Sequence, residues 1–209
     1  MLSLHSNQIE DDGASALMAL LLENEGCRVR VLDLSRNRIG PDGAKAVAAV
    51  CAVVASVTKI LVKRNRLGHE GATILCNALR ESKVTKVREL DLSMNDIGPE
   101  GAKAVAAMAA VVASLTSLLL GDNNLGDDGV EALSVALKES KSLATLDLSN
   151  MSFVSTKFGP KGAAALASAI AVMASLTRLD VSHNLLDRGG NGVQLLRDAV
   201  RQRELFVNL

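Results

Sequence analysis

The sequence predicts an α/β solenoid, a right-handed coil with a parallel sheet on its concave face and helices on its convex face. Three observations carry this. A segment apolar-x-x-apolar-x-apolar-x-x-Asn recurs along the chain, with Asn7, Asn37, Asn65, Asn95 and Asn123 spaced by 30, 28, 30 and 28 residues. Fixed periods of this length mark stacked repeats. Between these segments lie copies of one helical stretch: residues 39–60, IGPDGAKAVAAVCAVVASVTKI, and residues 97–118, IGPEGAKAVAAMAAVVASLTSL, agree at 16 of 22 positions, and residues 158–179 are a third copy. Composition is the third observation. Residues AVILMFWYC make up 48% of the chain and aromatics only 1%, so small aliphatic side chains must fill the core in thin, regular layers.

In chain order, Leu2, Leu4 and Asn7 open part-way through a first unit. Val29, Leu32, Leu34 and Asn37 begin the second, and Val57, Ile60, Val62 and Asn65 the third. Val87, Leu90, Leu92 and Asn95 begin the fourth, and Leu115, Leu118, Leu120 and Asn123 the fifth. The sixth has Leu143, Leu146 and Leu148, but Met151 stands where Asn is expected and an insertion follows near residues 154–158. An irregular turn is therefore expected there, with Phe153 or Phe158 in the inward place of Ile39 and Ile97. Leu176, Leu179, Val181 and Asn184 begin the seventh unit, and Leu205 to Leu209 reaches an eighth strand. The expectation is one domain over residues 1–209, about seven repeats of 28–30 residues, cut inside a repeat at both ends.

In each unit the apolar-x-apolar pair is a short strand whose alternate residues point inward, and the following stretch is an amphipathic helix. Pro41, Pro99 and Pro160 fall in the first helical turn, where a missing N–H costs nothing. Asp11, Asp12, Asp42, Glu100, Asp127 and Asp128 put negative charge at helix N-termini, which the helix dipole favours. The amides of Asn7, Asn37, Asn65, Asn95, Asn123 and Asn184 are assigned a structural role, satisfying backbone groups of the adjacent layer. Units one, three and five end their helices on polar residues, whereas two, four and six end on Val-Ala-Ser or Met-Ala-Ser, so the module spans about two units.

The LxxLxLxxN signature, followed by N-x-I-G-x-x-G-A-x-A, resembles leucine-rich repeats of the ribonuclease-inhibitor-like subclass. That horseshoe repeat is also used in the GTPase-activating protein of Ran and in the sensor arms of NOD-like receptors. The resemblance covers nearly the whole chain and implies a non-enzymatic module binding a protein partner on its concave surface. It leaves two other functions open: regulation of a GTPase, and a repeat scaffold with no partner of its own. Fold alone does not choose among them.

Several classes are excluded by composition. Lys plus Arg and Asp plus Glu both number 23, so no net charge draws the chain to nucleic acid or an anionic membrane. The near absence of aromatics removes base-stacking platforms. No apolar run reaches the ~18–20 residues of a spanning helix. Cys27, Cys51 and Cys76 form neither a disulfide framework nor a metal knuckle and fit a reducing, cytoplasmic compartment. No metal site and no cofactor are expected: His5, His69 and His183 lie in different units, and residues 122–128 place their glycine wrongly for a calcium loop. Ser149, Asp147, Asp180, Ser182 and His183 lie on neighbouring strands but carry no sign of the oxyanion hole that triad chemistry needs. No catalytic residue is assigned.

The candidate surface is read from rows running four, two and one residues before each Asn, with the residue after the Asn joining them. Arg36, Arg38, Lys59, Lys63, Arg64 and Arg66 converge on units two and three. Residues 28–66 hold nine basic side chains against Asp33 and Asp42, a local net charge of +7. Asp91, Asp122, Asp147 and Asp180 lie on the same rows farther along, so the inner surface should be electrically polar from end to end. A partner carrying an acidic segment is the expectation. Edge strands bearing Leu2, Leu4, Val207 and Leu209 add an expectation of self-association, or of a longer protein from which this piece was cut.

Overall fold

The computed structural model describes residues 1–24, 26–150, 157–201 and 205–209. Its strands are β1 (Leu2–Ser3), β2 (Val31–Asp33), β3 (Lys59–Leu61), β4 (Glu89–Asp91), β5 (Ser117–Leu119), β6 (Thr145–Asp147), β7 (Arg178–Asp180) and β8 (Phe206–Asn208). The intervening helices are α1 (Asp11–Glu23), α2 (Pro41–Val53), α3 (Gly68–Glu81), α4 (Gly98–Val111), α5 (Gly126–Leu137), α6 (Pro160–Ile170) and α7 (Gly192–Val200). The strands form one parallel sheet in sequence order. Each helix packs on its sequence neighbours. A layer thus finds its core against the layers beside it, as solenoids require.

The register lines up one inward column, Leu32, Ile60, Leu90, Leu118, Leu146, Leu179 and Val207. Two residues on, Leu34, Val62, Leu92, Leu120, Leu148 and Val181 form a second buried column. Phe158 is buried and fills the place of Ile39 and Ile97. The irregular turn expected at Met151 and through most of its insertion lies outside the described residues. Burying each such side chain contributes roughly 1.5–3 kcal/mol, and the contribution recurs once per layer.

Polar ladders fasten the layers where strands become loops. The Asn37 amide donates to Leu4 O and Leu34 O, both at 2.9 Å, while its carbonyl oxygen accepts Ile9 N–H at 3.1 Å. Asn65, Asn95, Asn123 and Asn184 each donate to their own and the preceding layer in the same way. Each amide therefore ties its own turn to the layer before it. On the other side of the sheet, hydroxyls repeat the device. Ser56, Ser114, Ser142 and Ser175 donate to Val29 O, Val87 O, Leu115 O and Leu143 O at 2.8–2.9 Å. Thr58, Thr116 and Thr177 donate to Arg30 O, Arg88 O and Ala144 O.

The alternation of units has a physical basis at the helix N-termini. Asp11 Oδ1 accepts Gly40 N–H at 2.6 Å and Gly43 N–H at 2.9 Å, so a carboxylate from unit one caps the helix of unit two. Asp127 does the same for unit six through Gly159 and Gly162, at 2.8 and 2.7 Å. Even units carry proline at this place, and Pro41 and Pro99 lie against Gly71 and Gly129 of the odd unit that follows. His69 occupies the aspartate's place in unit three. There Gly98 takes a left-handed φ of +64° and donates onward to Asn123 O.

Candidate partner-binding surface

The turn that ends each strand passes through the left-handed region. Ser6, Arg36, Arg64, Met94, Asp122 and His183, each directly before its ladder Asn, have φ between 55° and 62°. Such a φ costs an L-residue about 1–2 kcal/mol. The backbone of this turn is nevertheless held: Arg36 N–H donates to Lys63 O at 2.7 Å and Arg64 N–H to Ser93 O at 2.8 Å. Arg38 N–H and Arg66 N–H donate to Ile9 O and Ile39 O at 2.9 and 2.8 Å. Four arginines thus project from two adjacent, fixed turns.

The open surface lies farther along the turns than the sequence rows imply. Two residues before the Asn, Ser35 and Ser93 are only 6% and 4% exposed, which corrects the expectation of an outward row at those two layers, whereas His5 is exposed and Lys63, Ser149 and Ser182 are half-buried. Four before it, Asp33, Leu61, Asp91, Leu119, Asp147 and Asp180 are half-buried. The reason is local: Asp33, Asp91, Asp147 and Asp180 each accept the backbone N–H two residues on, from Ser35, Ser93, Ser149 and Ser182 at 2.9–3.0 Å. These aspartates close an Asx turn, and that draws the serine in. The exposed positions are Ser6, Arg36, Arg64, Met94 and His183 before the Asn and Gln8, Arg38, Arg66 and Asp96 after it.

Of the six basic residues, two are engaged. Arg38 pairs with Glu10 at 3.3 Å, and Lys59 pairs with Glu89, its neighbour across β3 and β4, at 2.5 Å. Arg36, Lys63, Arg64 and Arg66 form no ion pair among the described residues. A cavity of about 430 Å³ is lined by Ser6, Asn7, Gln8, Arg36, Asn37, Arg38 and Arg64, with no carboxylate among them. On the acidic side, burial pushes the Asp180 carboxyl up. The Ser182 hydroxyl, the Asn208 amide, Ser182 N–H and the Arg178 charge outweigh it and hold the group below the usual carboxylate range.

Elsewhere the chemistry is sparse. Ser182 Oγ donates to Asp180 at 2.7 Å rather than to the exposed His183, so these residues do not form a nucleophile–base pair. Burial pushes the Cys51 and Cys76 thiols up to about 12, whereas Cys27 is half-buried. Among the described residues no cluster of three His, Cys, Asp or Glu could hold a metal ion, and no helix is long and apolar enough to cross a membrane. The hydroxyl ladders escaped the sequence reading, although the Ser-x-Thr spacing at 56/58, 114/116 and 175/177 carried their signal.

Comparisons with known proteins agree with this geometry. The Leucine Rich repeat family model matches residues 2–18, 28–48, 85–106 and 113–134. RAN GTPase-activating protein 2 of Arabidopsis thaliana is 30% identical over 135 residues, 65% of this chain and 24% of that protein. The mouse (Mus musculus) ribonuclease inhibitor is 26% identical over 190 residues, 90% of this chain and 40% of that protein. The chain thus spans less than half the length of either relative. The solved structure of the leiomodin-1 actin-binding site 2 superposes with a TM-score of 0.61 at 18% identity, covering 77% of this chain and 87% of that one, and shares the fold. With its ladder amides, leucine columns and alternating units, the chain is a leucine-rich-repeat solenoid similar to the ribonuclease-inhibitor-like type.

Proposed function

We propose that the chain is a non-enzymatic interaction module of the reducing cytoplasm, binding a protein partner on its concave side, across the sheet and the turns that edge it. One observation carries the reading: the exposed turn side chains change sign along a rigid stack, from Arg36, Arg64 and Arg66 to Asp96, with the half-buried Asp91 in the same layer as Asp96 and the half-buried Asp122, Asp147 and Asp180 in later layers. A fixed surface of opposed charges selects partner and orientation at little ordering cost. Side-chain footprinting of a purified complex tests it. Protection of Arg36, Arg64, Asp96 and His183 with the helical face unaltered is the expected pattern. Protection confined to α1–α7 would overturn it.

The similarity to RAN GTPase-activating protein 2 supports a second reading, regulation of a small GTPase, with the exposed guanidiniums of Arg36 and Arg64 as contact groups. A GTP-hydrolysis assay decides: acceleration that disappears in Arg36→Ala or Arg64→Ala would favour this over passive binding.

A further inference from the structure

We infer that the cavity bounded by Arg36, Arg38 and Arg64 is a subsite for an acidic peptide segment, two or more carboxylate side chains of a partner entering between the guanidiniums. The inference rests on the interaction reading above and names the chemistry of one part of that surface. Arg36 and Arg64 occupy equivalent places in adjacent layers, their backbones about 4.8 Å apart by strand spacing. Guanidiniums borne on neighbouring turns repel one another, and an anion shared between them relieves this. The lining supplies none: its other members are Ser6, Asn7, Gln8 and Asn37. Glu10, which pairs with Arg38, lines instead a neighbouring cavity with Asp11, Asp12 and Asp42. The cationic cavity therefore holds no carboxylate of its own and lies beside an acidic one, with Arg38 lining both.

The hydrogen bonding favours carboxylates on a flexible chain over a compact inorganic anion. A phosphate nest needs backbone N–H groups aimed at the ligand. Here the N–H groups of Arg36, Arg38 and Arg64 are all consumed by Lys63 O, Ile9 O and Ser93 O. Recognition falls to guanidinium forks spread over two turns, which carboxylates on separate side chains of one peptide can engage one by one, each bidentately. About 430 Å³ holds two or three acidic side chains, and the acidic cavity lined by Glu10, Asp11, Asp12 and Asp42 bounds the path on the side of Arg66.

The probe is fluorescein-labelled hexaglutamate, with hexaglutamine as neutral counterpart and inorganic phosphate as competitor, titrated against the whole chain. Hexaglutamate should bind at low salt and hexaglutamine should not. Arg36→Glu with Arg64→Glu should weaken binding more than tenfold, while Lys83→Glu with Lys86→Glu, an equal charge change elsewhere, should alter it less than twofold. Arg36→Gly with Arg64→Gly removes both side chains in a residue type that accepts φ near 56°, so the fold is retained and binding should again fall. Equal loss in the Lys83/Lys86 variant, retention in both arginine variants, or displacement by phosphate at equimolar concentration would overturn the subsite. Because the peptide stands apart from any natural partner, such failure leaves the wider interaction reading to its own footprinting test.

Discussion

Asn123 accepts the backbone N–H of Asn95 on its side-chain oxygen at 2.9 Å, so one ladder amide holds the turn that positions the next. Both side chains are 1% exposed. Asn123→Ala strips Leu120 O of its donor and Asn95 N–H and Ile97 N–H of their acceptor, while Leu92 O keeps the Asn95 amide. A loss of about 2–4 kcal/mol follows from leaving several buried groups unmet. Asn7 is exposed and bonds only within its own turn, so Asn7→Ala should cost less than about 1 kcal/mol. Urea unfolding of the two variants measures the contrast; equal losses would refute the ladder's inter-layer role.

Capping across the layer boundary gives a second measurable asymmetry. Asp127→Ala removes the acceptor of two N–H groups on unit six and should destabilise by about 1–2 kcal/mol, as should Asp11→Ala on unit two. His69→Ala, at the same place in unit three, should change stability far less, because Gly98 is satisfied by Asn123 O instead. Thermal melts of the three variants suffice.

Acid should loosen the β7–β8 end through Asp180. Its folded-state carboxyl lies below its unfolded range. The stability this gives is complete above the unfolded carboxylate range and is lost as pH falls through the folded value. Ser182→Ala deletes one of its links, the hydroxyl at 2.7 Å, while the backbone N–H of the turn stays in place, and should move the Asp180 titration upward. Carboxyl-carbon NMR against pH reads this directly; an unmoved midpoint would show that the serine is not what holds it.

Thiol reactivity should sort by depth. Cys27 is the half-buried one and should react with a disulfide reagent in the native state, whereas Cys51 and Cys76, with thiols pushed up to about 12 by burial, should react only on unfolding. Stoichiometry before and after denaturant counts them. Rapid native labelling of all three would contradict the packing of α2 against α3.

The fold was legible because one rule, repeated, over-determines it. Leu32, Leu90 and Leu146 could not sit elsewhere without breaking every copy at once, and alignment with Ile39 offered Phe153 or Phe158 for the inward place, where Phe158 is buried. The surface was less legible. A row of Asp-x-Ser reads as open charge, yet Asp91 turns back to its own Ser93 N–H, a short-range choice that side-chain spacing along a strand does not reveal. Likewise the separate pairings of Arg38 with Glu10 and Lys59 with Glu89 depend on which layers touch, and only registration of neighbouring units exposes them.

The capping of units two and six by the odd unit before each makes growth at those joints a matter of pairs. Duplicating about 58 residues around such a joint carries the donor loop and its aspartate together, and a lengthened solenoid inherits a complete joint. Inserting one unit alone would set proline against proline, or aspartate before a turn shaped for another neighbour. The arithmetic of evolution, and of anyone splicing this stack, therefore runs in twos.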